Sequence, residues 1–184
     1  MRILIKNARL AFPNLFQPRP GQDGGEAKFG ASLIIGLDNP AIKELNAAFV
    51  KIAKEKWADK GETILKGLKA QDRLCLHDGA TKAQYQGFEG NMYVSASSKL
   101  RPSVFDRQKT PLTAEDGKPY SGCYVNASIE LWAQDSKQYG KRINAQLRGV
   151  QFVADGDAFA AGTAASEDEF DDLGDQGDDT DPTA

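Results

Sequence analysis

Apolar and polar residues alternate along five segments of the chain, and this two-residue period predicts five β-strands. The segments span 1–12, 27–37, 90–100, 121–134 and 142–154. Clusters of Gly, Pro, Asp and Ser bound them, as is usual where strands end in turns. Between the first two strands, residues 13–26 contain three Pro and three Gly. We therefore expect a loop there.

A helical period appears only after the second strand. Large and small apolar residues recur there at spacings of three and four, at Ile42, Leu45, Phe49, Ile52 and Ala53. Such a stripe predicts an amphipathic helix with one face in the core. Asp38 or Asn39 can cap it, Pro40 fits its first turn, and Gly61 can end it. The segment 60–72 is a candidate for a second, shorter helix.

These elements predict a mainly β fold with one or two helices, in which residues 1–156 form an OB-fold-like β-barrel. A β-sandwich is the alternative. Residues 157–184 consist mostly of Ala, Gly, Ser, Thr and Asp. A segment of this composition buries too little apolar surface to offset the entropy of ordering it. We expect a disordered acidic C-terminal tail.

Charge is divided unevenly between the two parts. All 23 Lys and Arg residues lie at or before Arg148, together with 15 acids, so this part carries a net charge of +8. The remainder has 11 acids and no base. Such asymmetry favours a polyanionic partner for the barrel and an interacting tail. A solvated surface with a solubility tail is the alternative.

The sequence contains little that suggests catalysis. It has no phosphate loop, no dinucleotide fingerprint and no paired CxxC motif. Cys75, His77 and Asp78 lie close together, but no second Cys or His cluster completes a tetrahedral zinc site. We predict no catalytic residue, no metal and no cofactor. We also expect no membrane association, and a cytoplasmic protein in which Cys75 and Cys123 are free, buried thiols.

Aromatic and basic residues supply the candidate binding site. In 123–132, alternation places Cys123, Val125 and Leu131 on a buried face and Tyr124 and Trp132 on the opposite, polar face. Cations that follow phosphates and rings that stack on bases are typical of single-strand grooves. The candidate DNA-binding residues are therefore Tyr93, on a similar face with Ser95 and Ser97, the cations Lys99, Arg101, Arg107 and Lys109 around Phe105, and Tyr124 and Trp132. A loop or helix covering the aromatic residues is the alternative.

Four segments, in order, carry a resemblance to a known family: ARLAFPNLFQP, AKFGASLIIG, KLRPSVFDR, and PYSGCYVNASIELWAQ followed by LRGVQFVADGDAF. Over residues 8–159 the chain resembles a phage family of OB-fold single-stranded-DNA-binding proteins. The resemblance implies stoichiometric protection of single strands during phage DNA replication, recombination or repair in the cytoplasm of a bacterial host.

The acidic tail also resembles those of replication SSBs, which recruit partner proteins. This similarity implies that Phe170, Asp171 and Asp172 contact phage or host replication and recombination proteins. The chain ends in DPTA rather than in an apolar residue, which departs from the bacterial pattern. Two other classes stay open at this point: an acidic-tailed chaperone or DNA mimic that binds basic proteins, and a nuclease or resolvase accessory enzyme.

Overall fold

The computed structural model describes residues 1–21 and 24–159. Within this part of the chain there are seven strands and two α-helices, besides short 3-10 turns. The strands are β1 Arg2–Arg19, β2 Lys28–Ile35, β3 Leu76–Asp78, β4 Met92–Ser98, β5 Ser103–Phe105, β6 Tyr124–Ser136 and β7 Gly140–Ala154, and the helices are α1 Pro40–Trp57 and α2 Gly61–Ala70.

Five of the strands close into a barrel. They neighbour each other in the order β4-β2-β1-β6-β7, and β7 pairs back with β4. The closing pair is parallel and joins Ala96 to Ala145 and Ser97 to Gln146, whereas the other neighbours in the barrel are antiparallel. The short strands β3 and β5 extend this sheet beside β4 and β7. The closure confirms the OB-fold-like barrel and makes the sandwich alternative wrong.

Alternation along the strands fills the barrel interior. On β6, Val125, Ala127 and Ile129 are fully buried and Leu131 nearly so, as their shared parity predicts. Each large apolar side chain that folding removes from water contributes roughly 1.5–3 kcal/mol. Because a shift of one residue would expose this whole set, burial fixes the register of the strand.

Helix α1 begins where its sequence predicts. The side chain of Asn39 accepts a hydrogen bond from the Ala41 N–H at 2.9 Å and donates another to the carbonyl of Lys6 at 3.0 Å. The predicted apolar stripe faces inward, since Leu45 and Phe49 are fully buried. The cap therefore starts the helix and also attaches it to β1. The expected second helix is α2.

The predicted loop at 13–26 is partly wrong, because β1 continues to Arg19. Its register with β2 shifts between Ala11 and Asn14 and again between Asn14 and Arg19. Pro13 and Pro18 lie within these irregular stretches, where a missing N–H removes no regular ladder bond. The Pro and Gly content therefore marks bulges as well as a turn. Strands β3 and β5, at three residues each, are too short to give a periodic signal.

The packed part of the chain continues through Phe159, three residues beyond the predicted boundary at 156. The Phe159 N–H donates to the carbonyl of Ser121 at 3.0 Å, and the Arg9 guanidinium lies 4.3 Å from the centre of the Phe159 ring. The division into a barrel and an acidic tail stays a prediction. Residues 160–184, with Phe170, Asp171 and Asp172, lie outside the described residues.

Both cysteines are free and buried, as predicted. Burial raises the pKa of the Cys75 thiol to about 12 and also raises the pKa of Cys123. Of the helices in the described ranges, neither is long and apolar enough to cross a membrane.

Candidate nucleic-acid interface

A groove of about 460 Å³ crosses the outer surface of β1, β2 and β4. Three kinds of side chain line it. Small residues form its floor, aromatic rings close one end, and cations stand along it. The lining residues are Phe12, Asn14, Arg19, Pro20, Lys28, Phe29, Gly30, Ala31, Ser32, Lys82, Tyr85, Ser95 and Ser97. None of these described lining residues is acidic, so the groove is suited to an anion.

Strand pairing produces the smooth floor. In the β2–β4 register Gly30 lies opposite Ser97 and Ser32 opposite Ser95. A β-carbon at Gly30 would come within 2.8 Å of the Ala96 carbonyl oxygen. Glycine is therefore required there by the close approach of the neighbouring strand. The result is a shallow surface on which flat rings can lie.

The aromatic end depends on an irregularity in β1. Phe12 has φ of 48°, within the register shift between Ala11 and Asn14. A non-glycine residue in this left-handed region costs roughly 1–2 kcal/mol. The bulge leaves Leu10 and Ala11 both buried and turns the Phe12 ring outward, where its centre lies 5.0 Å from that of Tyr85 in an edge-to-face pair. Backbone strain of this kind is concentrated at functional sites.

Lys82 places its charge among these rings. Its Nζ lies 4.9 Å from the ring centre of Tyr93, 5.4 Å from that of Phe12 and 5.6 Å from that of Phe88. Cations within about 6 Å of an aromatic face are attracted by it. Burial lowers the pKa of Lys82. The ammonium therefore lies among one exposed ring, that of Phe12, and two buried rings, those of Tyr93 and Phe88.

Tyr93 requires a correction. It has the parity of Ser95 and Ser97, yet it is only 4% exposed. Phe88 packs edge-to-face on it at 5.1 Å and His77 stacks on it at 5.0 Å. The connection between β3 and β4 folds back over this end of β4, so the ring of Tyr93 supports the groove from beneath and is not open to a base.

Lys99 and Arg101 lie just beyond the other end of the groove. The Lys99 Nζ forms an ion pair with Glu26 at 2.8 Å, and the Arg101 guanidinium lies 5.4 Å from the ring centre of Phe16. Both follow Ser98, which pairs with the lining residue Phe29. These two predicted cations are therefore adjacent to the groove without lining it.

Phe105, Arg107 and Lys109 occupy a different place. They belong to β5 and the turn after it, beside the C-terminal half of β7. Phe105 is half-buried and Lys109 is exposed. Arg107 donates a hydrogen bond from Nη1 to the carbonyl of Val153 at 2.8 Å. The structure does not bring this cluster into the groove.

Tyr124 and Trp132 are exposed on the outer face of β6, as their parity predicts, and Trp132 is 47% exposed. Trp132 lies opposite Asn144 of β7. Because the floor residue Ser97 pairs with Gln146 of β7, the outer surface runs from the groove across the β4–β7 seam toward Trp132. Base stacking by Tyr124 and Trp132 stays a prediction.

Sequence reasoning missed the residues that line the groove, above all Phe12, Tyr85 and Lys82. One signal was available for Phe12, because the Phe-Pro step interrupts the alternation of β1 and so marks a bulge. Tyr85 follows Lys82 by three residues in a segment without a strand or helix period, and nothing there indicates that it folds against β1.

A closed five-stranded barrel with an open groove of cations, aromatic rings and small residues defines a nucleic-acid-binding barrel protein of the OB type. Comparison of the sequence with protein families gives a more particular result. The family model described as the ssDNA-binding protein of Enterobacter phage Enc34 matches residues 1–181. The chain belongs to this family.

Individual proteins agree with the family match. Protein p50 of Acyrthosiphon pisum secondary endosymbiont phage 1 is 47% identical over 176 residues, which cover 94% of each chain. The structure of the bacteriophage Enc34 single-stranded DNA-binding protein in complex with ssDNA superposes with a TM-score of 0.73 at 27% identity, over 86% of this chain and 89% of that one. The bacteriophage T7 single-stranded DNA binding protein gp2.5 shares the fold, with a TM-score of 0.59 at 14% identity over 90% of this chain and 98% of that one.

Proposed function

We propose that this protein binds single-stranded DNA, without sequence preference, in the groove on β1, β2 and β4. One observation carries the proposal: the groove joins three cations, Arg19, Lys28 and Lys82, to exposed aromatic rings over a floor of small residues. The family match supports it, since the related Enc34 protein is described in complex with ssDNA.

The lining chemistry explains why sequence would matter little. Cations interact with phosphates, which are the same at every nucleotide. Phe12 and Tyr85 offer ring faces on which any base can stack, and each such stack contributes roughly 1–3 kcal/mol. The floor hydroxyls of Ser32, Ser95 and Ser97 both donate and accept hydrogen bonds, so they discriminate poorly between base edges.

The DNA path extends beyond the groove in two directions. Lys99 and Arg101 continue the line of cations past Phe29. On the other side, the outer face of β7 and β6 leads across the seam to Trp132. A strand that leaves the groove in this direction would reach an exposed indole.

In this role the protein protects single strands stoichiometrically and is not an enzyme. Family membership supports a setting in phage DNA replication, recombination or repair, in the cytoplasm of the bacterial host. The acidic residues after Phe159 would recruit phage or host replication and recombination proteins, as expected for Phe170, Asp171 and Asp172.

The test is an anisotropy titration of a short fluorescent oligo(dT) with wild-type protein, Tyr85→Ala and Tyr139→Ala. Tyr139 is an exposed tyrosine outside the groove, so it is a matched control. Tyr85→Ala should bind the oligonucleotide about five- to a hundredfold more weakly than the wild type, because it loses one stacked base. Tyr139→Ala should bind like the wild type. Equal affinities for all three proteins would contradict a site in this groove.

The same titration at several salt concentrations tests the electrostatic part. Neutralising about four phosphates should give a slope of log affinity against log salt near −3, from roughly −0.7 per phosphate. A duplex of the same length should bind more weakly, because its bases are not available for stacking. A flat salt response would contradict phosphate binding by the groove cations.

A further inference from the structure

The two helices form a second groove, which shares no residue with the first. It has a volume of about 300 Å³ and is lined by Val50, Ala53, Lys54, Glu62 and Leu65. The face of α1 that carries Leu45 and Phe49 is buried in the barrel core, whereas Val50 is 43% exposed. The helices approach so closely that a β-carbon at Gly61 would lie 2.6 Å from the Ala53 carbonyl oxygen. The groove between the helices is lined mainly by apolar side chains and is open on the outer side of the helix pair.

The helix pair that forms this groove carries a net positive charge. Residues 40–70 carry seven lysines and four acids. The acid that lines the groove, Glu62, is already paired with Lys66 at 3.3 Å. Lys54 forms no ion pair with another described residue. A partner with apolar side chains among acidic ones would match the apolar lining, Lys54 and the net positive charge of the two helices.

The chain itself contains such a partner. Residues 160–184 include nine acids, and their large apolar residues are Phe170 and Leu173, three positions apart within EDEFDDLGD. One aromatic and one aliphatic side chain are the anchors that a small apolar slot can hold, while the flanking carboxylates would face the lysines. The match in charge and in apolar character favours this segment, residues 167–173, over an unrelated protein.

The point where the described chain ends sets how far residues 167–173 can reach. The ring of Phe159 lies so close to Gly87 that a β-carbon at this position would be 2.6 Å from it. It packs against the buried cluster of Ala11, Ile34, Phe88 and Tyr93, at the aromatic end of the first groove. A bound strand brings phosphates to this end and repels the acids that follow. The 11 residues from Phe159 to Phe170 span about 36–40 Å when extended, enough to reach an adjacent barrel.

We propose that, on single-stranded DNA, residues 167–173 of one copy dock in the α1–α2 groove of the neighbouring copy. This inference rests on the proposed function, because the shared strand brings the copies together. Each bound molecule would then hold the next, so that binding to long strands is cooperative. The groove that takes the segment is the one lined by Val50 and Leu65.

Disulfide trapping tests the contact in the full-length chain. Two single variants, Val50→Cys and Leu173→Cys, are mixed on long poly(dT) under mild oxidation, and linked dimers are counted on non-reducing gels. The native thiols are buried and do not compete. Leu37→Cys replaces Val50→Cys in the control. At 70% exposure Leu37 is more open than Val50, so random collision would favour the control.

The proposal expects linked dimers to form at least about tenfold faster with Val50→Cys than with Leu37→Cys, and only on poly(dT). Adding Lys54→Glu should slow the reaction. Equal rates at the two positions would overturn the docking. It would also be overturned if the double variant Val50→Cys, Leu173→Cys formed its disulfide within one chain, without DNA, faster than the two single variants link on poly(dT). Binding of a short oligo(dT) is titrated in parallel. If the protein binds it but Val50→Cys links no faster than Leu37→Cys, the docking alone is refuted. If the unsubstituted protein does not bind it, the proposed function is refuted.

Discussion

Lys82 is the residue in which the electrostatic and aromatic parts of the groove meet. Replacing it with Gln removes one cation but keeps a polar side chain of similar length. We expect weaker binding of oligo(dT) and a salt slope less negative by about 0.7, the share of one phosphate. Lys137→Gln is the control, because Lys137 is exposed in the β6–β7 turn. Equal slopes for the two variants would place Lys82 outside the contact.

The pH dependence provides a second measurement on the same residue. Burial lowers the pKa of Lys82, so its ammonium loses a proton before fully exposed lysines do as the pH rises. The phosphate contact requires the charged form. Affinity should therefore be greatest below this pKa and fall as the pH rises through it, whereas Lys82→Arg should keep its affinity to higher pH. Identical pH profiles would contradict the assignment.

Trp132 provides a test on the other side of the seam. Its indole is exposed on β6, so Trp132→Ala should change the melting temperature little. If the indole stacks on a base, affinity should fall about five- to a hundredfold while the salt slope stays the same, since no phosphate contact is lost. Unchanged affinity for both short and long strands would confine the DNA to the groove and refute stacking at Trp132.

At the scale of elements, the bulge in β1 combines a cost in stability with the exposure of the Phe12 ring. Phe12→Ala and Phe12→Gly both remove the ring and should both weaken DNA binding. They differ in the backbone, because glycine adopts φ of 48° without the strain that alanine retains. We expect Phe12→Gly to be about 1 kcal/mol more stable than Phe12→Ala in urea unfolding. Equal stabilities would mean that the bulge relaxes when the ring is lost.

The sequence correctly predicted burial and helix capping wherever these depend on one strand or one helix alone. Parity on β6 separated buried Val125 and Ile129 from exposed Tyr124 and Trp132, because one strand with one buried face has one consistent register. The helix cap at Asn39 was equally local. Tyr93 was misplaced because the connection before β4 folds back over its ring, with Phe88 5.1 Å away, and parity alone does not reveal which face a loop covers.

At the scale of the molecule, charge asymmetry pointed to a polyanion partner before any element was known. The groove itself could not be predicted, since β1 and β2 form it together with β4 and the connection before β4, and these two parts of the chain are far apart in sequence. The bulge that exposes Phe12 and the return of Tyr85 to it are long-range events. Composition therefore indicated the kind of ligand, and the fold adds a candidate surface for it.

Removing residues 160–184 tests the acidic segment as a competitor. The contacts of Phe159 with Ser121 and Arg9 are retained, so the barrel should stay folded. We expect the nine acids of this segment, which are joined to the barrel through Phe159, to compete with DNA as a polyanion at an effective concentration of about millimolar. Truncation should tighten binding to short oligo(dT) at low salt, and the gain should shrink as salt screens exposed charges. Phe170→Ala should leave this affinity unchanged. Weaker binding after truncation would refute competition.

The central claim is that single-stranded DNA lies in the groove on β1, β2 and β4. Photocross-linking of the full-length protein to an oligonucleotide of 5-iododeoxyuridine, followed by mass spectrometry of the peptides, tests it most directly, because aromatic rings stacked on the modified base react with it. The account predicts links at Phe12 and Tyr85 that excess unlabelled oligo(dT) abolishes. Links confined to α1, α2 or the turn at Tyr139, with none at Phe12 or Tyr85, would contradict it.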